Sequence, residues 1–398
     1  MTLGVIAFVV ALLLSVMLHE AGHFAFAKAF GMKATQFFVG FGPTLWSFRR
    51  GETEYGVKAI PAGGFVKIVG MTQLEDVDPA DEKRAFYRQP APQRAVVLAA
   101  GSVVHFIIAF LLLLALYAGI GTSVATTTLA SVSPCVPATA DDTRCGPTDA
   151  PSPATAVGLR TGDRVVAFDG RAISSWDDFS RAIRAHDASA ATLEIERDGS
   201  RLTVRPVVAQ ARRPSLEDPT RTTMVGVLGV SPTTGRERLG PVAAVGRSAT
   251  LFRQSITGTF AALGKVPASI PKLFSADRGL DSPTSVVGIG RISGEVATAK
   301  ADVADRVSLF LLIIASLNIF VGIFNLLPLL PLDGGHLAVL GFEQARYGIY
   351  RVLGRADPGR VDLTKLLPAA YLVIALFVSL SVLLIAADIV NPIIFPIG

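Results

Sequence analysis

Near the start of the chain, His19-Glu20-Ala21-Gly22-His23 has the residue types and spacing of a metal-dependent hydrolytic site. On an α-helix, positions four apart share a face, so both imidazoles can reach one ion. Glu20 then stands beside that ion, where a carboxylate can take a proton from water. Such a pattern occurs by chance on soluble surface helices. Here it interrupts an apolar run, and burying a glutamate and two histidines in lipid is costly enough that such residues serve function.

A catalytic zinc takes three protein ligands and keeps a fourth position open. The third ligand should come from another segment at matching depth. Residues 325–336, Asn-Leu-Leu-Pro-Leu-Leu-Pro-Leu-Asp-Gly-Gly-His, supply two choices. Asp333 offers an oxygen suited to zinc, and His336 is its rival; the bland reading of Asp333 is a turn residue at a membrane exit. Asn325 reads as a hydrogen-bonding group that could hold a substrate carbonyl or stabilise an oxyanion. Pro328 and Pro331 cannot continue a regular helix, and Gly334-Gly335 lets the backbone turn sharply. Broken backbone at membrane depth needs protein or a water-filled cavity around it, as a hydrolytic site does. A metal transporter would spread polar residues along a path through several spans. A peptide-binding scaffold without activity would have little use for Glu20 between the histidines.

The elements that must carry these residues are apolar. The 398 residues are 51% hydrophobic and unevenly patterned, unlike one soluble globule. Four runs, at about 3–30, 95–121, 307–330 and 366–390, are long enough to span a bilayer. Residues 1–18 contain no Lys or Arg, which argues against a cleaved signal peptide. Ten Lys/Arg fall between Lys28 and Arg94 and five between 331 and 365, while both chain ends have none. By the positive-inside rule those two loops are cytoplasmic, and both termini and the segment 122–306 lie outside. The net charge of +5 thus describes topology, and nothing calls for nucleic acid. Cys135 and Cys145 fall in the external segment, as a disulfide worth about 3 kcal/mol by chain entropy or as two free thiols.

These motifs resemble the site-2 protease family of intramembrane zinc metalloproteases, in particular its bacterial branch that cleaves membrane-anchored anti-sigma factors. HEAGH at 19–23 and NLLPLLPLDGG at 325–335 are similar to its two signatures. Residues 40–67 resemble its membrane-associated β-hairpin, and 282–290 the segment before its third span. The resemblance implies a multi-pass inner-membrane enzyme with Zn2+ held by His19, His23 and Asp333, and with Glu20 catalytic. It implies single-span, anti-sigma-factor-like substrates cut within the bilayer. A transmembrane helix hides its carbonyls in its own hydrogen bonds, so the substrate must unwind; Gly63, Gly64 and Phe65 of the hairpin, with Asn325, are expected to position it. Two departures stand out. The second proline of the Asn-Pro-Pro-Asp pattern comes one place late, and His105 occupies the position of a frequent asparagine in the second span.

Residues 153–170 alternate turn, strand and turn, followed by a helix at 176–186 and strands near 191–196 and 201–207. This resembles a bacterial PDZ domain, able to bind a peptide terminus as an added strand or to bar bulky substrates. The expected fold is therefore a polytopic α-helical membrane protein of about four transmembrane helices, with a cytoplasmic β-hairpin and an extracytoplasmic α+β PDZ domain. Its parts are 1–121 (first catalytic half), 122–212 (PDZ), 213–306 (linker) and 307–398 (second catalytic half). Residues 239–274 of the linker read as an amphipathic surface helix or a plain connection.

Overall fold

The computed structural model describes residues 1–71, 76–137, 145–146, 149–215, 221–275, 278–279 and 282–393. In chain order the first elements are α1 (Thr2–Ala29), β1 (Ala34–Arg50), β2 (Thr53–Ile68), α2 (Ala91–Leu114), β3 (Thr122–Val132), α3 (Pro153–Ala156), β4 (Arg164–Phe168), β5 (Arg171–Ala172) and α4 (Trp176–Arg184). Then come β6 (Leu193–Arg197), β7 (Ser200–Val204), β8 (Ala209–Pro214), β9 (Thr222–Val227), β10 (Val230–Glu237), α5 (Pro241–Ser269), α6 (Val286–Thr298), α7 (Val303–Asn325), α8 (Asp333–Val352) and α9 (Leu367–Val390). The chain divides into two compact units: Met1–Gly121 with Arg238–Gly398, and Thr122–Glu237.

The first unit is helical. Among the described residues, Thr2–Ala29, Ala91–Ile120, Val303–Asn325 and Leu363–Val390 are long and apolar enough to cross a membrane. The third span is shifted toward the N-terminus of the run that hydropathy marks, covering Val303–Asn325. Helix α7 stops at Asn325 rather than continuing to Leu330, because Pro328 and Pro331 cannot donate the backbone hydrogen bonds that helix needs. Small residues let the helices close up. A Cβ added at Gly22 of α1 would lie 3.0 Å from the Ala100 carbonyl of α2, and one at Gly4 would lie 2.4 Å from the Ser293 carbonyl of α6. Such close approach is how helices associate where hydrophobic burial gives little drive.

Helix α5 is tied at both ends to the end of the bundle away from the His pair. The Leu239 N–H donates to the Tyr117 carbonyl just past α2. The Asn391 amide just past α9 donates to the Leu273 and Ser275 carbonyls. Between these ties, Phe252 packs edge-on against Phe106 and Phe110. At the same end Asp388 of α9, with its side chain 2% exposed, accepts from Arg278, Thr284 and both the N–H and hydroxyl of Ser285. The donors surround the charge as a buried carboxylate requires.

Strands β1 and β2 form more than a simple hairpin. Residues 34–39 pair with 64–68 on one side and with 53–57 on the other, and 53–57 pair in turn with 46–50. Among the described residues, 64–68 pair with no strand other than 34–39. The sheet is tied to the end of α1 through Glu52, whose carboxylate accepts from Arg84 at 2.6 and 2.8 Å and from Lys28.

The second unit is α+β. Its antiparallel sheet has the order β10-β3-β4-β6-β7, with β5 beside β4, and β8 and β9 pair separately. Leu129, Val165, Phe168, Phe179, Ile183, Leu193 and Ile195 fill its core. Gly162 and Asp169 adopt positive φ at the two expected turns. Cys135 and Cys145 form a disulfide, and the segment 138–144 between them lies outside the described residues.

The Glu52 cluster carries a pH dependence. The Arg84 hydrogen bonds, with the Lys28 charge beside them, hold the Glu52 carboxyl at about 2 against an ordinary 4.5. Its contribution is complete above 4.5 and is lost as pH falls through about 2. Protection of the β1 and β2 amides, after correction for intrinsic exchange, should fall over that acid interval, whereas Glu52→Gln should be less protected throughout and lose the dependence there.

Candidate active site

Helix α1 carries His19 and His23 one turn apart on the face toward α2, both buried. The His23 Nδ1 lies 2.7 Å from the Val97 carbonyl. A carbonyl only accepts, so Nδ1 donates and Nε2 is left as a lone pair. Gly101 of α2 makes room for both rings: a Cβ there would sit 2.5 Å from His19 Nδ1 and 2.5 Å from His23 Nε2.

Asp333 opens α8 and reaches the same point from the far end of the sequence. Its Oδ2 lies 3.3 Å from His19 Nε2 and 3.4 Å from His23 Nε2, and the two Nε2 atoms are 3.1 Å apart. Ligands about 2.0–2.2 Å from a tetrahedral ion sit about 3.3–3.6 Å from one another, so the triangle fits one zinc-sized cation. Its chemistry fits too. The Asp333 Oδ2 is buried with no donor, and it faces the His23 lone pair across 3.4 Å. Facing lone pairs repel unless a cation lies between them. Among the described residues, this His-His-Asp group is the one set of at least three His, Cys, Asp or Glu ligands that converges.

Gly334 and Gly335 act differently from expectation. The sharp turn expected there lies just before them, and the pair forms the first turn of α8, packed against backbone. A Cβ at Gly334 would lie 2.2 Å from the Leu326 carbonyl, and one at Gly335 would lie 2.6 Å from Leu329. The turn is made by 326–332, and the glycines let α8 fold back tightly enough to deliver Asp333.

Glu20 points to the other side of the cluster, where its Oε2 accepts the Val66 N–H at 3.0 Å. That N–H belongs to the 64–68 edge, which lies along α1. Gly63 has φ +130, and a Cβ at Gly64 would lie 2.6 Å from the Met17 sulfur. The glycine pair therefore sets how closely this edge approaches the helix. Phe65 stacks on Phe38 and Phe41, a contact within the sheet. Asn325 ends α7 half-buried, with no side-chain hydrogen bond among the described residues. His336 turns away and lines a cavity with Phe86, Arg94 and Leu98.

His105 is not part of the triangle, although its ring centroid lies 5.0 Å from that of His19. The Asn318 amide nitrogen donates to Ser15 Oγ at 3.1 Å and to the Ile314 carbonyl at 2.8 Å. Its oxygen must therefore face His105 Nδ1, 2.8 Å away, which donates to it. This network joins α1, α2 and α7 one turn from His19. Sequence reasoning picked out His105 but missed Ser15 and Asn318. The available signal was the same in each case, a polar side chain inside an apolar run.

Gly101 gives a sharp test of the packing. Gly101→Ala should lower zinc affinity at least about tenfold, measured by chelator competition, by pushing both imidazoles out of line. Gly119→Ala, where an added Cβ meets nothing within 4 Å, should leave zinc affinity unchanged.

The geometry agrees with similarity to known proteins. A sequence model of peptidase family M50 matches residues 7–352. The chain is 37% identical over 405 residues to zinc metalloprotease Rip1 of Mycobacterium tuberculosis, covering 98% of both chains. It is 36% identical over 403 residues to zinc metalloprotease Rip1 of Mycolicibacterium smegmatis, again over 98% of each. A histidine pair on one membrane-length helix, an aspartate brought to it from the opposite end of the chain, and a match over most of the sequence lead to one assignment: the chain belongs to peptidase family M50.

Proposed function

We propose that this chain is an intramembrane zinc metalloprotease that cuts single-span, membrane-anchored regulatory proteins of the anti-sigma-factor kind within their spanning segments. The observation that carries the reading is the three-atom triangle with Glu20 on one flank, hydrogen-bonded to Val66 of the 64–68 strand that runs along it. His19, His23 and Asp333 hold the ion. Zinc bound there supplies Lewis acidity toward a water and toward the scissile carbonyl. Glu20 takes the water's proton on its carboxylate and returns it to the leaving amine.

The protein also has to keep the substrate extended. The 64–68 edge offers main-chain donors and acceptors to an unwound segment in the manner of an added strand. Gly63 and Gly64 bring that edge close to α1, and Phe65 stiffens it. The free amide of Asn325 is placed to hold a substrate carbonyl. His105 keeps its ring beside His19 through Asn318 and Ser15.

The charge distribution supports a multi-pass arrangement in the inner membrane. Both termini and the second unit lie outside, and the active site lies near the cytoplasmic side. The strand–turn–helix pattern of the second unit supports a PDZ domain that binds a peptide terminus or excludes bulky substrates. Helix α5, with Arg247, Arg253 and Lys265 among apolar residues, fits a position at the outer surface.

The test is cleavage of a reconstituted single-span substrate by wild type and by Glu20→Gln, with zinc measured on both. Glu20→Gln should lose at least about 100-fold in rate with zinc retained, as expected when a general base is removed. Equal cleavage by the variant, or full cleavage by zinc-free protein, would overturn the reading.

A further inference from the structure

Helix α8 has a second role to fill, because only half of it is covered. On one side Leu337 and Leu340 pack into the cluster formed with Val97, Leu98 and Phe86. Glu343 then meets Arg94, in the first turn of α2, at 3.4 Å. Past Glu343 the helix has therefore reached the end of the α2 span, yet it continues to Val352, about 14 Å farther at 1.5 Å per residue.

That continuation exposes a stripe at alternating spacings of four and three: Ala338, Phe342, Ala345, Ile349 and Val352. Phe342 and Ile349 are each 58% exposed and Val352 is 86% exposed. A helix leaving the bundle for water would have no use for this face. The charges beside it are unbalanced. Glu343 is occupied by Arg94 and the Val361 N–H, Asp357 by the Gly359 N–H, and Asp362 by Thr364. Arg351 and Arg355 have no ion pair or side-chain hydrogen bond among the described residues. An apolar stripe flanked by free guanidinium groups, at the level where a span begins, matches a bilayer surface bearing negative headgroups.

We infer that the distal half of α8 lies in the anionic headgroup layer of the bilayer holding the spans. The same helix begins at Asp333, so lipid charge acts directly on the element that delivers this side chain to the metal site. This rests on the membrane-embedded, positive-inside reading above.

The chain's cysteines are bonded to each other, so an introduced cysteine can be labelled selectively in the full-length protein. An environment-sensitive fluorophore at Ile349→Cys is compared in vesicles of phosphatidylcholine with and without about 30% phosphatidylglycerol. The same label at Leu376→Cys, exposed on α9, reports whether the spans are in lipid. With phosphatidylglycerol present, the Ile349 label should shift to the blue and its iodide quenching should fall at least about threefold. Arg351→Gln with Arg355→Gln should abolish that difference without changing zinc content.

An Ile349 label that is iodide-accessible in both vesicles, with the Leu376 label protected, overturns the inference and leaves the membrane reading standing. An accessible Leu376 label overturns both. Protection that ignores phosphatidylglycerol but grows with protein-to-lipid ratio assigns the stripe to a second copy of the chain and also overturns it.

Discussion

Three lone-pair atoms lie within 3.1–3.4 Å of one another, two on the first helix and one at the start of α8. That separation is about the edge of a small tetrahedral coordination shell, and much of the first unit is arranged around it. Gly101 removes side-chain volume where both imidazoles must pass. The Val97 carbonyl fixes which nitrogen of His23 faces inward. The break at 326–332 and the two glycines after it bring Asp333 back to the level of the first helix. Each feature is local, but together they join residues more than three hundred positions apart. An ion at their centre would be a cross-link between the two ends of the catalytic unit as well as a chemical group.

Around that centre, one polar network is matched internally, while His19 Nδ1, Ser102 Oγ and Asp333 Oδ2 are buried without a hydrogen-bond partner among the described residues. His105, Asn318 and Ser15 satisfy one another across three helices. Asp388 receives several donors at the opposite end of the bundle. In a low-dielectric interior an unmatched polar group is costly, and a matched set fixes position well. Glu20 accepts the Val66 N–H, which fixes its carboxylate beside the His19–His23–Asp333 cluster.

The convergence of His19, His23 and Asp333 could be read from the sequence because the residue types are discrete: two histidines at helical spacing, and an aspartate after a proline-broken span. The spans could be read because hydropathy is a sum over many residues. What stayed hidden depended on contacts between distant segments. The end of α7 was overrun because Leu326, Leu327, Leu329 and Leu330 look like more span, while the prolines among them decide otherwise. Gly334 and Gly335 suggested a sharp turn, because nothing in the sequence marks backbone lying against their α-carbons. The partners of His105 lie far away in the chain, so its role could not be assigned from one segment. The cysteine spacing allowed a bond or free thiols, and folding brings the pair together.

Residues 64–68 present main chain along one border of the β1–β2 sheet. A strand edge offers only amides and carbonyls, which every polypeptide possesses, so pairing there is blind to side chains. Discrimination must then come from the other partner's own conformational free energy. A spanning helix that gives up its internal hydrogen bonds cheaply would be held, and a stiff one would leave. A protease that holds its substrate by such pairing would sort membrane helices by how readily they melt, and only secondarily by the residues they carry.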